Sequence, residues 1–215
     1  AGSFETKDGT YDPKWGTCAG TPCHGSTNQS ANGASVALGW ENKTRAMDIG
    51  TTPMGFNVVD VVGGLSYSND LGPIGYTVNA HRRPISSSML AFAGQKDPNT
   101  GTTWGGVRAT GGGASISYDK GEANGIWSSL NMDALEGKNV EDNWRIRWMT
   151  GYYYKIINKN NERLTVGLSN MLWHYDKDLS SYSLGQGGYY SPQEYVSFAV
   201  PVTWRKRTEN WSWEL

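Results

Sequence analysis

The sequence predicts an all-β protein, an antiparallel transmembrane β-barrel represented here by about ten strands of a larger barrel. Three observations carry this. The stretch 144–156 reads Trp-Arg-Ile-Arg-Trp-Met-Thr-Gly-Tyr-Tyr-Tyr-Lys-Ile. Trp144, Ile146, Trp148, Tyr152, Tyr154 and Ile156 share one parity, while Arg145, Arg147 and Lys155 share the other. Side chains on a strand alternate faces, so one face is aromatic and the other cationic. Segments of this kind recur along the chain, and the links between them alternate short and long. Barrels with short periplasmic turns and long extracellular loops have that arrangement. Finally, Trp40, Tyr67, Tyr76, Tyr118, Tyr154, Trp204, Trp211 and Trp213 lie within a few residues of a short link, as an interfacial aromatic girdle requires.

Strands are expected at 34–41, 44–50, 58–68, 74–82, 111–118, 125–133, 143–156, 163–175, 193–204 and 211–215. The short links are 41–44, 69–73, 119–124, 158–162 and 205–210; the long ones are 51–57, 83–110, 134–142 and 176–192. Val59, Val61, Leu65 and Tyr67 form one lipid-facing set, and Val196, Phe198, Val200 and Val202 another. Arg or Lys among them would cost about 2–4 kcal/mol at the midplane. Asp60, Asn79, His81, Asn131, Asp133, Ser169 and Ser197 take the opposite, wet parity. Three places resist the pattern: 44–50 has no clear parity, Asn170 falls on the lipid side, and Pro201 removes a ladder donor. A soluble β-sandwich with ordinary core aromatics is the competing reading, and the alternation of link lengths disfavours it.

Residues 1–31 read as a loop on the extracellular side, and 32–215 as the barrel, incomplete at its C-terminal end. The chain opens on Ala1 and closes on Leu215 inside a fresh strand, so it reads as a mature-region piece of a longer polypeptide. Mean hydropathy is −0.56, which a barrel tolerates because only alternate strand residues need be apolar. A net charge of −1 gives no field to recruit nucleic acid. Cys18 and Cys23, in a Gly- and Ser-rich loop, suit a disulfide in an oxidising compartment. A metal site with His24 lacks further ligands, and no cofactor motif is present. Gly111–Gly113 and Gly187–Gly188 are not phosphate loops, since no helix follows either.

Candidate chemistry is sparse. His174 and Asp176 share a parity, but no nucleophile accompanies them, so an enzyme is not expected. The residues placed along the lumen are Asp60, His81, Trp127, Asp133, Arg145, Arg147, Tyr153, Trp173, Tyr175, Tyr195 and Glu214. Arg145 and Arg147 are candidates for ion pairs with Asp133 or Asp60. Large aromatics on a wet face suit the C–H faces of sugar rings better than a small ion. The 176–192 loop is a candidate gate, with Gly185, Gly187 and Gly188 as flexible points and Tyr189 and Tyr190 as contacts. The alternative is an outer-membrane enzyme or adhesin acting through its long loops.

Several stretches carry a resemblance. They are 48–56 (Asp-Ile-Gly-Thr-Thr-Pro-Met-Gly-Phe), 72–76, 80–88, 137–144, 173–178, 184–195 and 204–213 (Trp-Arg-Lys-Arg-Thr-Glu-Asn-Trp-Ser-Trp). The chain resembles the C-terminal region of the cellulose synthase operon protein C family of enteric bacteria, from about residue 32 to 215. The resemblance implies an outer-membrane barrel of about sixteen strands. It would pass cellulose, a β-1,4-glucan, plain or phosphoethanolamine-modified, to the cell surface. The implied partners are the cellulose chain, outer-membrane lipid, periplasmic tetratricopeptide repeats of the same polypeptide and, indirectly, the inner-membrane cellulose synthase complex. No catalytic residues come with the resemblance.

Overall fold

The structure, a computed structural model, describes residues 30–97, 100–119 and 122–215. Alternating apolar and polar residues give the strands β1 (Ala37–Glu41), β2 (Arg45–Thr51), β3 (Val61–Leu71) and β4 (Ile74–Pro84). After them come a short helix α1 (Met89–Ala93), β5 (Gln95–Lys96), β6 (Thr103–Tyr118), β7 (Asn124–Lys138), β8 (Asn143–Lys159) and β9 (Glu162–Tyr175). The described residues end with β10 (Tyr195–Ala199), β11 (Val202–Arg207) and β12 (Ser212–Glu214). Strands pair antiparallel in chain order, β1-β2-β3-β4-β6-β7-β8-β9-β11-β12, with β10 also on β9 and β5 on β6. This is the all-antiparallel sheet of a β-barrel fragment. Cys18 and Cys23, and nearly all of the 1–31 loop, lie outside the described residues.

The two faces separate as parity requires. Leu38, Met47, Leu65, Val78, Ile116, Leu130, Trp148, Leu168 and Phe198 are exposed on the apolar face. Pairing with β3 settles the ambiguous strand β2: Met47 stands opposite Leu65, while Asp48, opposite Gly64, belongs to the polar face. Asn170 does fall on the apolar face, where it pairs with Thr150 and accepts that residue's hydroxyl proton. In the same row Trp148 Nε1 donates to Ser128 Oγ at 3.0 Å. These polar groups are therefore satisfied among themselves. Pro201 divides the strand expected at 193–204 into β10 and β11, which keep one register on β9. Its carbonyl accepts from Gly167 N at 2.9 Å, and the bond that its ring nitrogen cannot donate is absent.

Two expectations need correction. The link expected at 83–110 is strand from Thr103 onward, and that expected at 134–142 is strand up to Lys138. The connection between β7 and β8 is thus only 139–142, and short and long links do not alternate without exception. The cause lies in packing at this end of the sheet. Val107, Ala109 and Leu135 face inward and are buried with Leu90, Ala91, Leu179, Leu184 and Tyr189. The inward face is apolar there while Arg108, Thr110 and Glu136 stand on the other, so the apolar and polar parities exchange sides and the outward-apolar pattern followed along the rest of the strand breaks off.

α1 begins at Ser88, whose hydroxyl accepts from Ala91 N at 3.0 Å. Its Leu90 sits against Gly105 and Gly188. The 85–102 and 176–194 connections therefore meet over the polar face at the long-link end, which makes that face the inner one.

Candidate functional site

The inner wall is built from cross-strand rows. His81, Gly111, Asp133, Arg145 and Tyr175 stand opposite one another on β4, β6, β7, β8 and β9. Asp133 has a side chain with 0% exposure. Arg145 Nε donates to its Oδ2 at 2.7 Å, Arg147 Nη2 reaches the same oxygen at 3.4 Å, and His81 Nε2 lies 2.9 Å from Oδ1. His81 spans a whole strand to do this. A methyl group at Gly111 would sit 2.7 Å from Oδ1 of Asp133 and would clash with the Met132 carbonyl. Glycine is required there because the ion pair crosses directly above its Cα. Asp48 and Arg83 repeat the device: both guanidinium nitrogens meet the carboxylate at 2.5 Å, passing over Gly64.

The next row is Asn79, Gly113, Asn131, Arg147, Trp173 and Tyr195. Trp173 and Tyr195 have ring centroids 5.8 Å apart, and Tyr190 meets Tyr195 edge-on at 6.2 Å. Nearer the short turns, Trp127 and Tyr153 lie on the inner face of β7 and β8, while Glu214 pairs with Arg205 at 2.8 Å between β12 and β11. A groove of about 700 Å³ runs along β1–β4, with Asp48, Gly64, Ser66, Asn79, His81 and Arg83 on its inner side. One side of the wall is therefore low and polar, and the other carries the aromatics.

Asp60 is not part of these rows. It bonds Arg82 at 3.0 Å, with the buried Arg108 at 3.5 Å and Glu136 also on Arg82 at 3.7 Å. Arg82 and Glu136 continue the apolar-face parity of Ala80 and Met132, so Asp60 leaves the lumenal set. The row fails because β3 starts only at Val61, and the parity counted through Asp60 has no ladder to enforce it.

The candidate gate is seated rather than loose. Gly187 and Gly188 N–H groups donate to Leu179 O at 3.2 and 2.9 Å, and Glu141 N donates to Gly185 O at 2.9 Å. Gly185 and Gly188 have φ of 88° and 63°, and Gly188 also admits Leu90, so these glycines fix the loop's path instead of loosening it. Tyr189 is 2% exposed and touches no open lumen, whereas Tyr190 is 56% exposed. Burial pushes the Tyr189 phenol up to about 12, and Asn143 Nδ2 donates to its oxygen at 3.1 Å. Tyr189 packs on Tyr175 at 6.2 Å between ring centroids, and Arg145 Nη1 donates to Tyr175 Oη at 3.2 Å. The cover is thereby tied to the Asp133 row. The sequence did not point to Asn143, whose amide also holds Lys177 N and O at 2.9 and 2.8 Å, or to α1. His174 turns Nδ1 to the Gln193 carbonyl at 2.5 Å and packs on Trp144, an arrangement that serves the strand end.

Comparison with known proteins bears on this wall. The model of the family described as the C-terminus of cellulose synthase operon protein C matches residues 1–215. The chain belongs to that family. It is 75% identical to cellulose synthase operon protein C of Salmonella typhimurium and 73% identical to that of Escherichia coli, over 100% of the chain in both cases. It is 36% identical to the protein of the same name from Xanthomonas axonopodis pv. citri over 84% of the chain. The chain spans 18%, 19% and 12% of the lengths of these relatives. Membership of the operon protein C family ties the chain to cellulose biosynthesis.

The Asp133 row gives a stability prediction for the full-length protein folded in detergent micelles. Asp133→Ala leaves two guanidinium groups without their carboxylate and should cost about 3–5 kcal/mol. Glu214→Ala, at an exposed pair, should cost no more than about 1 kcal/mol. Denaturant unfolding midpoints check both. Equal, small shifts in the two variants would contradict the buried-centre reading.

Proposed function

We propose that this region is the outer-membrane channel through which cellulose reaches the cell surface. The observation that carries the proposal is the inner wall itself. It is polar, its charges are largely paired within the wall, and it holds aromatic rings in register with amide and hydroxyl side chains. Neutral, hydroxyl-rich chains with flat C–H faces fit such a wall: rings meet rings, and amides and hydroxyls meet hydroxyls. An ion channel instead concentrates charge of one sign. The family's place in cellulose biosynthesis supports glucan as the cargo.

The exposed apolar face, with its Trp and Tyr residues near the short turns, supports insertion in the outer membrane. The long links then lie outside the cell, and the cover formed by α1 and the 176–192 loop is the gate. The role proposed is transport, not catalysis. Periplasmic tetratricopeptide repeats of the same polypeptide would deliver the chain from the inner-membrane synthase.

Insertion is tested by a pair of substitutions on neighbouring residues of β7. Leu130→Arg puts a charge on the apolar face and should cost about 2–4 kcal/mol, lowering the folded fraction in vesicles. Ser129→Arg, on the inner face, should insert normally. Equal behaviour of the two would remove the lipid assignment.

Export is tested in cells. Trp173→Ala with Tyr195→Ala should lower surface cellulose while the folded barrel inserts in normal amount. Deletion of 180–190 should let small solutes leak across the outer membrane. Unchanged cellulose and unchanged permeability would count against both the threading path and the gate.

A further inference from the structure

Two inner-face rings stand apart from the covered end. Trp127 is paired with Gly151 and Tyr153 with Gly125, each across the β7–β8 ladder. A Cβ built on Gly151 would meet Nε1, Cε2 and Cζ2 of Trp127 at 2.5, 2.6 and 2.8 Å. One built on Gly125 would meet Cζ and Cε1 of Tyr153 at 2.5 and 2.7 Å. An inner-face Cβ points straight into the lumen. Side chains with atoms this close to that position lean over the glycine of the neighbouring strand instead of standing upright, and both residues are half-buried.

The surroundings suit a sugar. Ser117 and Ser169 flank the Trp127–Gly151 pair in the same row. The Tyr153 hydroxyl donates to Asp119, and Lys155 Nζ lies 5.4 Å from the Tyr153 ring centroid and 3.5 Å from Asp119 Oδ2. The charges here compensate one another, with Lys155 over the Tyr153 ring, and leave ring surface and the serine hydroxyls as the remaining chemistry.

We propose that Trp127 and Tyr153 form a stacking subsite for a pyranose unit of a β-linked glucan, and that Gly151 and Gly125 are the positioning residues that let the side chains lean over. The subsite lies at the short-turn end of the inner wall, six residues along β7 from Asp133, or about 20 Å. The inference rests on the export reading given above. It adds where a chain arriving from the short-turn side first meets a ring face. Equatorial β-1,4 links keep pyranose units flat and present axial C–H groups to such a face. An upright ring at either position would instead stand in the path.

The test uses a strain that lacks the full-length gene, complemented with full-length variants. Surface cellulose is measured by dye binding, and folded barrel by heat-modifiability. Trp127→Leu with Tyr153→Leu should cut surface cellulose at least about threefold at normal barrel levels. Phenylalanine at both positions should restore it. Gly151→Ala should lower it alone, yet add nothing to Trp127→Leu, because the glycine acts only through the ring. Should the double leucine variant insert poorly, Trp127→Leu alone is read in the same way. Normal export by the leucine variants at normal insertion overturns the subsite and leaves the export reading standing. Normal export by Gly151→Ala overturns the positioning role. Failure of the wild-type gene to restore surface cellulose overturns the export reading itself.

Discussion

A carboxylate withdrawn from solvent organises the inner wall. Taking Asp133 out of water costs several kcal/mol, which the attraction of nearby cations offsets only in good geometry. The groups around it come from other strands: Arg145 and Arg147 bring guanidinium groups from β8, and His81 a ring nitrogen from β4. The pairing thus fixes β4, β6, β7 and β8 against one another through side chains, beyond what their backbone ladders do. A slip of one residue in β7 would turn Asp133 to the apolar face and strand two guanidinium groups. Gly111 is part of the same constraint, since any side chain on it would occupy the line between His81 and Asp133. The row also reaches the cover, because Arg145 bonds Tyr175, and Tyr175 packs on Tyr189.

Much of this was legible in the sequence, for a definite reason. In 143–155 and 163–175 one face is apolar and the other wet, so period two survives and assigns Arg145, Arg147, Trp173 and Trp148 to the faces they occupy in the structure. The candidate ion pairs of Arg145 and Arg147 with Asp133 follow from the same parity. Legibility ends where the inward face turns apolar and the outward one charged, with Arg108 and Glu136 standing opposite each other. Trp104, Val107 and Leu135 are buried beneath the cover, so the strand there looks like loop. It ends also where a residue precedes its ladder, as Asp60 does. Asp48 was opaque because β2 mixes Arg45, Met47 and Ile49 with Ala46, and only its partner β3 decides the parity.

The loop glycines show a different limit. Glycine-rich sequence suggests freedom, yet Gly185 and Gly188 have left-handed φ values that the folded path demands, and Gly188 lets Leu90 pack close. The same residue type that loosens an unfolded chain fixes a tight one. Sequence composition cannot distinguish the two cases, because the difference lies in what approaches the missing Cβ. If the proposed gate opens, the packing of α1, Leu179 and Tyr189 requires that the unit be unseated together, since single glycines do not supply a hinge.

One rule joins the charged end of the wall to the aromatic end. Arg83 lies over Gly64, His81 meets Asp133 over Gly111, Tyr153 lies over Gly125 and Trp127 over Gly151. Each bulky side chain is matched by a glycine on the adjoining strand and lies along the sheet instead of projecting from it. Two consequences follow for a polymer. On the export proposal, side chains laid along the wall leave room for a chain, and the charges meet one another along the wall rather than meeting the polymer. Around Asp133 two guanidinium groups share one carboxylate, and that is the row the cover ties down. A wall with few free charges holds a neutral chain weakly at each step, which is what translation of a long polymer requires. Strong single sites would raise affinity and slow release.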